Sequence, residues 1–114
     1  MHSTRGKHLI AEYFGCDSST IDDLNHLKSL LTSAVKKAGM TIIDTKFHKF
    51  TPQGVSGVIL LAESHLSVHT WPEFNYAAVD VYTCGRGDLT TAHAVISEGV
   101  NATDFKLIIL DRGI

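Results

Sequence analysis

Between Ala62 and Glu73 the chain reads Ala62-Glu63-Ser64-His65-Leu66-Ser67-Val68-His69-Thr70-Trp71-Pro72-Glu73, which packs serines, two histidines, a tryptophan and two carboxylates into twelve positions. Little else in the 114 residues concentrates chemistry so densely. His65 and His69 suggest a metal first, because on a helix residues i and i+4 converge on one ion. The stretch alternates like a strand, however. At about 3.3 Å per residue the two imidazoles stand about 13 Å apart, too far for zinc–nitrogen bonds of about 2.0–2.1 Å to bridge. No metal site is expected.

Other chemistries fare no better on local pattern. A hydrolase serine requires an elbow such as GxSxG, and neither Val55-Ser56-Gly57 nor Glu63-Ser64-His65 supplies it. Cys84 with His69 could form a nucleophile and base, but a lone cysteine before Gly85 at a strand end is more often a small buried residue. Gly54 and Gly57 precede no helix and cannot cradle a phosphate. Taken singly, Phe50 and Trp71 read as core or interface aromatics, and Glu73 as a solvated turn residue.

The elements that must position these residues follow from periodicity. His8–Phe14 reads as a strand ending at Gly15. Ile21, Leu24, Leu27, Leu30, Leu31, Ala34, Val35 and Ala38 recur at helical spacing, which predicts a helix over about 19–38. Ser18, Ser19 and Thr20 offer caps, with Asp22 three after Ser19. Lys36, Lys37 and Gly39 suit its end. Strands are predicted over Thr41–Phe50, Val55–Leu61, His65–Trp71 and Tyr76–Thr83, the second buried because it is continuously apolar after Gly57. Asp88 caps a shorter helix closed by Gly99, and Phe105–Leu110 is a last strand.

The order β-α-β-β-β-β-α-β predicts one α+β domain over 1–114, a two-layer α/β sandwich with a mainly antiparallel sheet and two helices packed on one face. The other face lacks a cover within the chain, and a partner subunit is the expected one. An apolar fraction of 44%, a charged fraction of 19% and a net charge of −2 fit a globular protein and give no footprint for nucleic acid or an anionic membrane. No apolar run approaches the roughly 18 residues of a membrane span. The polar start Met1–Lys7 is not a signal peptide. Cys16 and Cys84 lack CxxC spacing, and a cytoplasmic location with reduced thiols is expected.

Four segments in order carry a resemblance: Phe47-His48-Lys49-Phe50, Gly54-Val55-Ser56-Gly57-Val58, the Glu63-to-Glu73 stretch, and Tyr76-Ala77-Ala78-Val79-Asp80-Val81-Tyr82-Thr83-Cys84-Gly85. Together they resemble the prokaryotic S-adenosylmethionine decarboxylase proenzymes over nearly the whole chain, from His8-Leu9 to Asp111-Arg112-Gly113. The resemblance implies self-cleavage between Glu63 and Ser64 into chains 1–63 and 64–114. Ser64 Oγ attacks the Glu63 carbonyl in an N→O acyl shift, assisted by Ser56. His69 then removes the Ser64 α-proton to drive elimination, and loss of ammonia leaves a pyruvoyl group.

That group serves as the cofactor, forming a Schiff base with the amine of S-adenosylmethionine while Cys84 reprotonates the product carbon. Phe50 and Trp71 are implied to face the substrate, and Glu73 to accept from its ribose hydroxyls. The implied product is the aminopropyl donor of spermidine biosynthesis, made by a homodimer with sites at the subunit interface. An arginine or ornithine decarboxylase on the same scaffold, or a non-catalytic small-molecule-binding regulatory module, are the alternatives. His65 keeps a structural or supporting role. The chain departs from the family pattern in running from Cys84-Gly85 straight into Arg86-Gly87-Asp88-Leu89, and in having no polar tail.

Overall fold

The computed structural model describes residues 4–114, and the Met1-His2-Ser3 part of the polar start lies outside the described residues. Six strands form: Gly6–Phe14 (β1), Ile42–Lys49 (β2), Val55–Leu61 (β3), Ser64–Trp71 (β4), Tyr76–Thr83 (β5) and Asp104–Arg112 (β6). They make one sheet in the order β2-β3-β4-β5-β1-β6, antiparallel throughout. All six expected strands are present.

The long helix is where sequence and structure part. It is two helices, Ser18–Ile21 (α1) and Leu24–Lys37 (α2). Asp23 caps α2 by accepting from the His26 N–H at 3.1 Å, so the cap is not one of the serines. Ser19 and Thr20 instead turn their hydroxyls to Asp17. Asp22 leaves the helical path to accept from the Gly54 N–H at 2.8 Å and to pair with Lys49 at 3.1 Å. Two aspartates that favour local turn and cap bonds break the run that apolar spacing alone would continue.

At the other end Lys36 and Lys37 occupy the last turn, and Gly39 takes φ +82° as expected. Asp88 caps Leu89–Gly99 (α3) through the Thr91 N–H. Gly99 does not close that helix, because Asn101 takes the left-handed position. A Cβ on Gly99 would lie 2.1 Å from Leu30 Cδ1, so the glycine serves the close crossing of α2 and α3.

Strand alternation sorts the sheet into two faces. One carries Leu9, Ala11, Tyr13, Ile59, Leu66, Val68, Val79 and Val81, all buried against Leu27, Leu31, Val35, Ala92 and Ile96 of the helices. Each such large aliphatic contributes roughly 1.5–3 kcal/mol by burial. Thr70 ties α1 to this layer: its Oγ1 donates to the Ile21 carbonyl and accepts from the Val55 N–H.

The opposite face has no cover within the described residues. β3 alternates rather than being buried on both sides, with Val58 48% and Leu60 50% exposed. Its apolar run marks a strand with two apolar faces, only one of them covered by this chain. β6 is exposed along its length, including Ile108 and Leu110. Among the described residues no helix is long and apolar enough to cross a membrane.

Below α3, His93 stacks on Tyr13 at 5.6 Å and its Nδ1 is hydrogen-bonded to the Tyr13 hydroxyl at 2.9 Å. Burial lowers the His93 pKa, since the charged ring is poorly solvated there. A histidine whose folded pKa lies below its unfolded value contributes stability that is complete above about pH 6.5 and is lost as pH falls through the folded value. A His93→Phe variant should therefore lose less denaturant resistance than the wild type between pH 7 and pH 5.5, measured as the shift in unfolding midpoint.

Candidate active site

The peptide between Glu63 and Ser64 sits in the tightest turn of the sheet. Leu61 pairs with Ser64, so β3 and β4 are joined by Ala62 and Glu63 alone. Both sides of that turn are held. The Ala62 N–H donates to the Thr41 carbonyl and the Thr41 N–H donates to Glu63 Oε1, each at 2.9 Å. From just past β5, the Cys84 N–H donates to the Glu63 carbonyl oxygen at 2.9 Å. Gly85 lets the chain pass, since a Cβ there would lie 2.8 Å from Glu63 Cγ.

Ser64 itself has φ +155°, a backbone conformation that favours glycine and costs other residues on the order of 1–3 kcal/mol. In a regular strand the side chains of neighbours point to opposite faces. Here the irregular backbone lets Ser64 Oγ approach His65 Nδ1 at 3.4 Å. His65 Nε2 lies 3.2 Å from Asp80 Oδ2, and His8 Nε2 lies 2.6 Å from the same oxygen. Ser67 donates to the other oxygen of Asp80. Burial works to raise the Asp80 pKa, but the hydrogen bonds from Ser67, His8 and His65 outweigh it and hold the carboxyl below its usual range.

Cys84 follows directly on β5 beside this group. Its interaction with the Tyr82 hydroxyl, followed by burial, raises the Tyr82 pKa, against the opposing charge of Arg112 stacked 4.3 Å from the ring. Glu63, Ser64 and Cys84 are thus brought together.

The remaining expected residues gather elsewhere. Ser56 pairs across β3 and β4 with His69, and its Oγ lies 2.8 Å from His69 Nδ1. His69 is five residues beyond Ser64 on one strand, about 16 Å at the usual rise. Trp71 lies further along, 40% exposed, with its ring 6.4 Å from His69 and 5.5 Å from Tyr76. Glu73 follows in a 3₁₀ turn over Pro72–Phe74, and Phe50 is exposed at the end of β2. Within one chain these five do not meet Ser64. The expected residues therefore fall into two groups, towards opposite ends of β4.

The structure adds residues that local pattern had not singled out. Asp80, His8 and Ser67 surround His65, and Glu12 accepts from the Tyr76 hydroxyl at 2.7 Å. Alternation could have found them: His8 and Glu12 share one face of β1, and Tyr76, Asp80 and Tyr82 share one face of β5. The separation of His65 from His69 stands, but His65 gains other neighbours. Donor atoms of His8, His65 and Asp80 lie within 4.8 Å of one another, a set that a divalent ion could use. Their mutual hydrogen bonds satisfy them without one.

Comparison with known proteins decides the family. The family model described as S-adenosylmethionine decarboxylase matches residues 7–113. The chain belongs to the S-adenosylmethionine decarboxylase family. Among its relatives, S-adenosylmethionine decarboxylase proenzyme 2 of Halalkalibacterium halodurans is 45% identical over 111 residues, covering 96% of this chain and 87% of that one. The corresponding proenzyme of Geobacillus kaustophilus is 46% identical over 110 residues, with 96% and 89% covered. The crystal structure of the adenosylmethionine decarboxylase from Aquifex aeolicus superposes with a TM-score of 0.87 at 41% identity, over 98% of this chain and 93% of that one. The α+β sandwich is the family's fold, and the short chain is of the bacterial type.

Burial, and then Glu12, push the Tyr76 pKa up to about 12. Replacing Glu12→Gln removes the second cause, so ultraviolet titration of the variant should show a tyrosine ionising at lower pH than in the wild type.

Proposed function

We propose that this chain cleaves itself between Glu63 and Ser64, converts Ser64 to a pyruvoyl group, and decarboxylates S-adenosylmethionine to the aminopropyl donor used in making spermidine. The observation that carries the reading is the Glu63–Ser64 peptide itself: a serine at φ +155° in a two-residue turn, its preceding carbonyl already hydrogen-bonded by the Cys84 N–H. Relatives named as proenzymes support a chain that matures.

The residues present fit such a group at position 64. Ser64 is half-buried, Cys84 stands beside it, and Gly85 leaves room where a side chain would crowd Glu63. When present, the pyruvoyl carbonyl supplies the electron sink for loss of carbon dioxide. Cys84 Sγ holds the proton returned to the substrate's α-carbon. Phe50 and Trp71 offer faces to adenine and the sulfonium, a cation over an aromatic ring gaining roughly 0.5–2 kcal/mol. Glu73 accepts from the ribose hydroxyls.

The two half-sites require a second copy. Val58, Leu60, Ile10 and Ile108 leave the open face too apolar to stay in water. Two chains packed face to face about a two-fold axis, with their β4 strands opposed, bring His69, Ser56, Phe50, Trp71 and Glu73 of one chain towards Ser64 and Cys84 of its partner. In that homodimer His69 Nε2 takes the Ser64 α-proton across the interface, with Ser56 holding Nδ1. A small soluble dimer working in the cytoplasm is the whole of the proposal.

Intact-mass measurement of purified protein should show two fragments split after Glu63, the second blocked at its N-terminus, and labelled carbon dioxide should come from S-adenosylmethionine. A single uncut mass, or carbon dioxide from arginine or ornithine alone, would overturn the assignment. Ser64→Ala should stay whole. Co-expression tests the interface: a tagged His69→Ala chain should be cut when paired with a Ser64→Ala chain and uncut alone, whereas action within one chain leaves it uncut in both.

A further inference from the structure

Around His65 the positions of protons can be assigned from the donors available. A carboxylate only accepts, so both Nε2 atoms that reach Asp80 Oδ2 carry hydrogens. In the neutral form of either ring, a hydrogen on Nε2 leaves Nδ1 bare. In His8 that nitrogen accepts from Arg112 at 3.2 Å; in His65 it faces the Ser64 hydroxyl at 3.4 Å. His65 is therefore held in the tautomer that accepts from Ser64. The electrophile is prepared in the same place, because the Cys84 N–H lies 2.9 Å from the Glu63 carbonyl oxygen where charge would develop.

Resting on the self-cleavage reading above, the geometry points to His65 as the base that starts it, with Asp80 positioning the ring and the Cys84 N–H receiving the oxyanion. His65 Nδ1 takes the Ser64 hydroxyl proton as Oγ bonds to the Glu63 carbonyl carbon. The carbonyl π pair moves onto the oxygen held by Cys84. On collapse the bond from Glu63 C to Ser64 N breaks, and that nitrogen takes the proton back from His65. An ester replaces an amide with no net proton change. His69, about 16 Å along β4 in the same chain, is left for the separate removal of the α-proton. Within one chain the nucleophile, base, orienting acid and oxyanion donor are complete, whereas the later steps need the partner.

Charged and titratable groups facing His65 are His8 from β1, Asp80 and Tyr82 from β5 and, behind Tyr82 and His8, Arg112 from β6; its β3 neighbour is Leu60. Arg112 bears on the ring only through its neighbours. A step that needs a bare His65 Nδ1 slows when acid supplies that nitrogen with a proton, which gives its rate an acidic limb.

The test uses full-length precursor made by cell-free translation in a His69→Ala background, which stalls the chain as the ester. Hydroxylamine then cuts that ester, so fragment yield against time and pH measures the acyl shift alone. Adding His65→Ala should slow ester formation by about a hundredfold or more. It should also flatten the acidic limb, and added imidazole should restore much of the rate. Asp80→Asn, whose amide cannot enforce the tautomer, should slow the step and move the limb while the thermal unfolding curve shows a folded chain. Ester formation in His65→Ala at the parent rate overturns the proposal. So does slow formation that keeps the parent pH limb and ignores imidazole. A wild-type precursor that never splits overturns the self-cleavage reading itself, which separates the two failures.

Discussion

The structure depends on the register set by the two-residue turn at Ala62 and Glu63. Side chains alternate with a period of two, so a slip of one residue between β3 and β4 would exchange the faces of every residue on one strand. In the observed register Leu61, Ile59 and Val55 oppose the helices together with Leu66, Val68 and Thr70, while Ser56, Val58, His65, Ser67 and His69 share the other face. The turn that fixes this is also the one proposed to be cut. Its clamps from Thr41 and Cys84 lie on β2's approach and just past β5, so strain at Ser64 is supported from strands on both sides. Once a sheet of six strands is paired, loss of one peptide bond at the tip of a hairpin removes few of its contacts.

The two faces then carry separate tasks. Helices α2 and α3 bury an aliphatic layer that does no chemistry and needs none. The open face mixes Val58, Leu60 and Ile108 with Asp80, Glu12 and the imidazoles of His8, His48, His65 and His69. A solvated sheet face would carry fewer aliphatics, and a sealed core would not carry those charges unpaired. Its two half-buried acids meet donors: Asp80 from Ser67, His8 and His65, Glu12 from Tyr76. Such satisfied groups can be covered by a second chain without leaving a bare charge.

Much of this was legible from period and punctuation. Gly39 and Asp88 mark helix limits by local backbone chemistry, and all six strands show β-branched or alternating runs. The break at Asp22-Asp23 was not, because the partners that draw Asp22 out of the helix, Gly54 and Lys49, are distant in sequence. The burial of β3 was misread for a related reason: an apolar run reports that both faces are apolar, not which chain covers them. Asp80 escaped notice as one acid in an apolar strand. Only the pairing of β5 with β1 and β4 places it between His8 and His65. The family motifs located Ser64, His69 and Cys84, but a linear motif cannot tell that two of them belong to opposite ends of one strand.

That division explains why the stretch from Ala62 to Glu73 holds two histidines. A strand keeps both on the same face but holds them about 13 Å apart, so neither can take the other's place. His65 is fixed by Asp80, an acceptor that sets which nitrogen is bare; His69 is fixed by Ser56, a hydroxyl that can donate or accept and so permits either tautomer. The first arrangement suits a base that must receive one proton from a hydroxyl beside it and return it to the nitrogen that leaves. The second suits a group that meets its proton only after another chain arrives. On the proposed assembly the ester is made from groups of one chain and destroyed with a group of the other, so the elimination cannot outrun assembly.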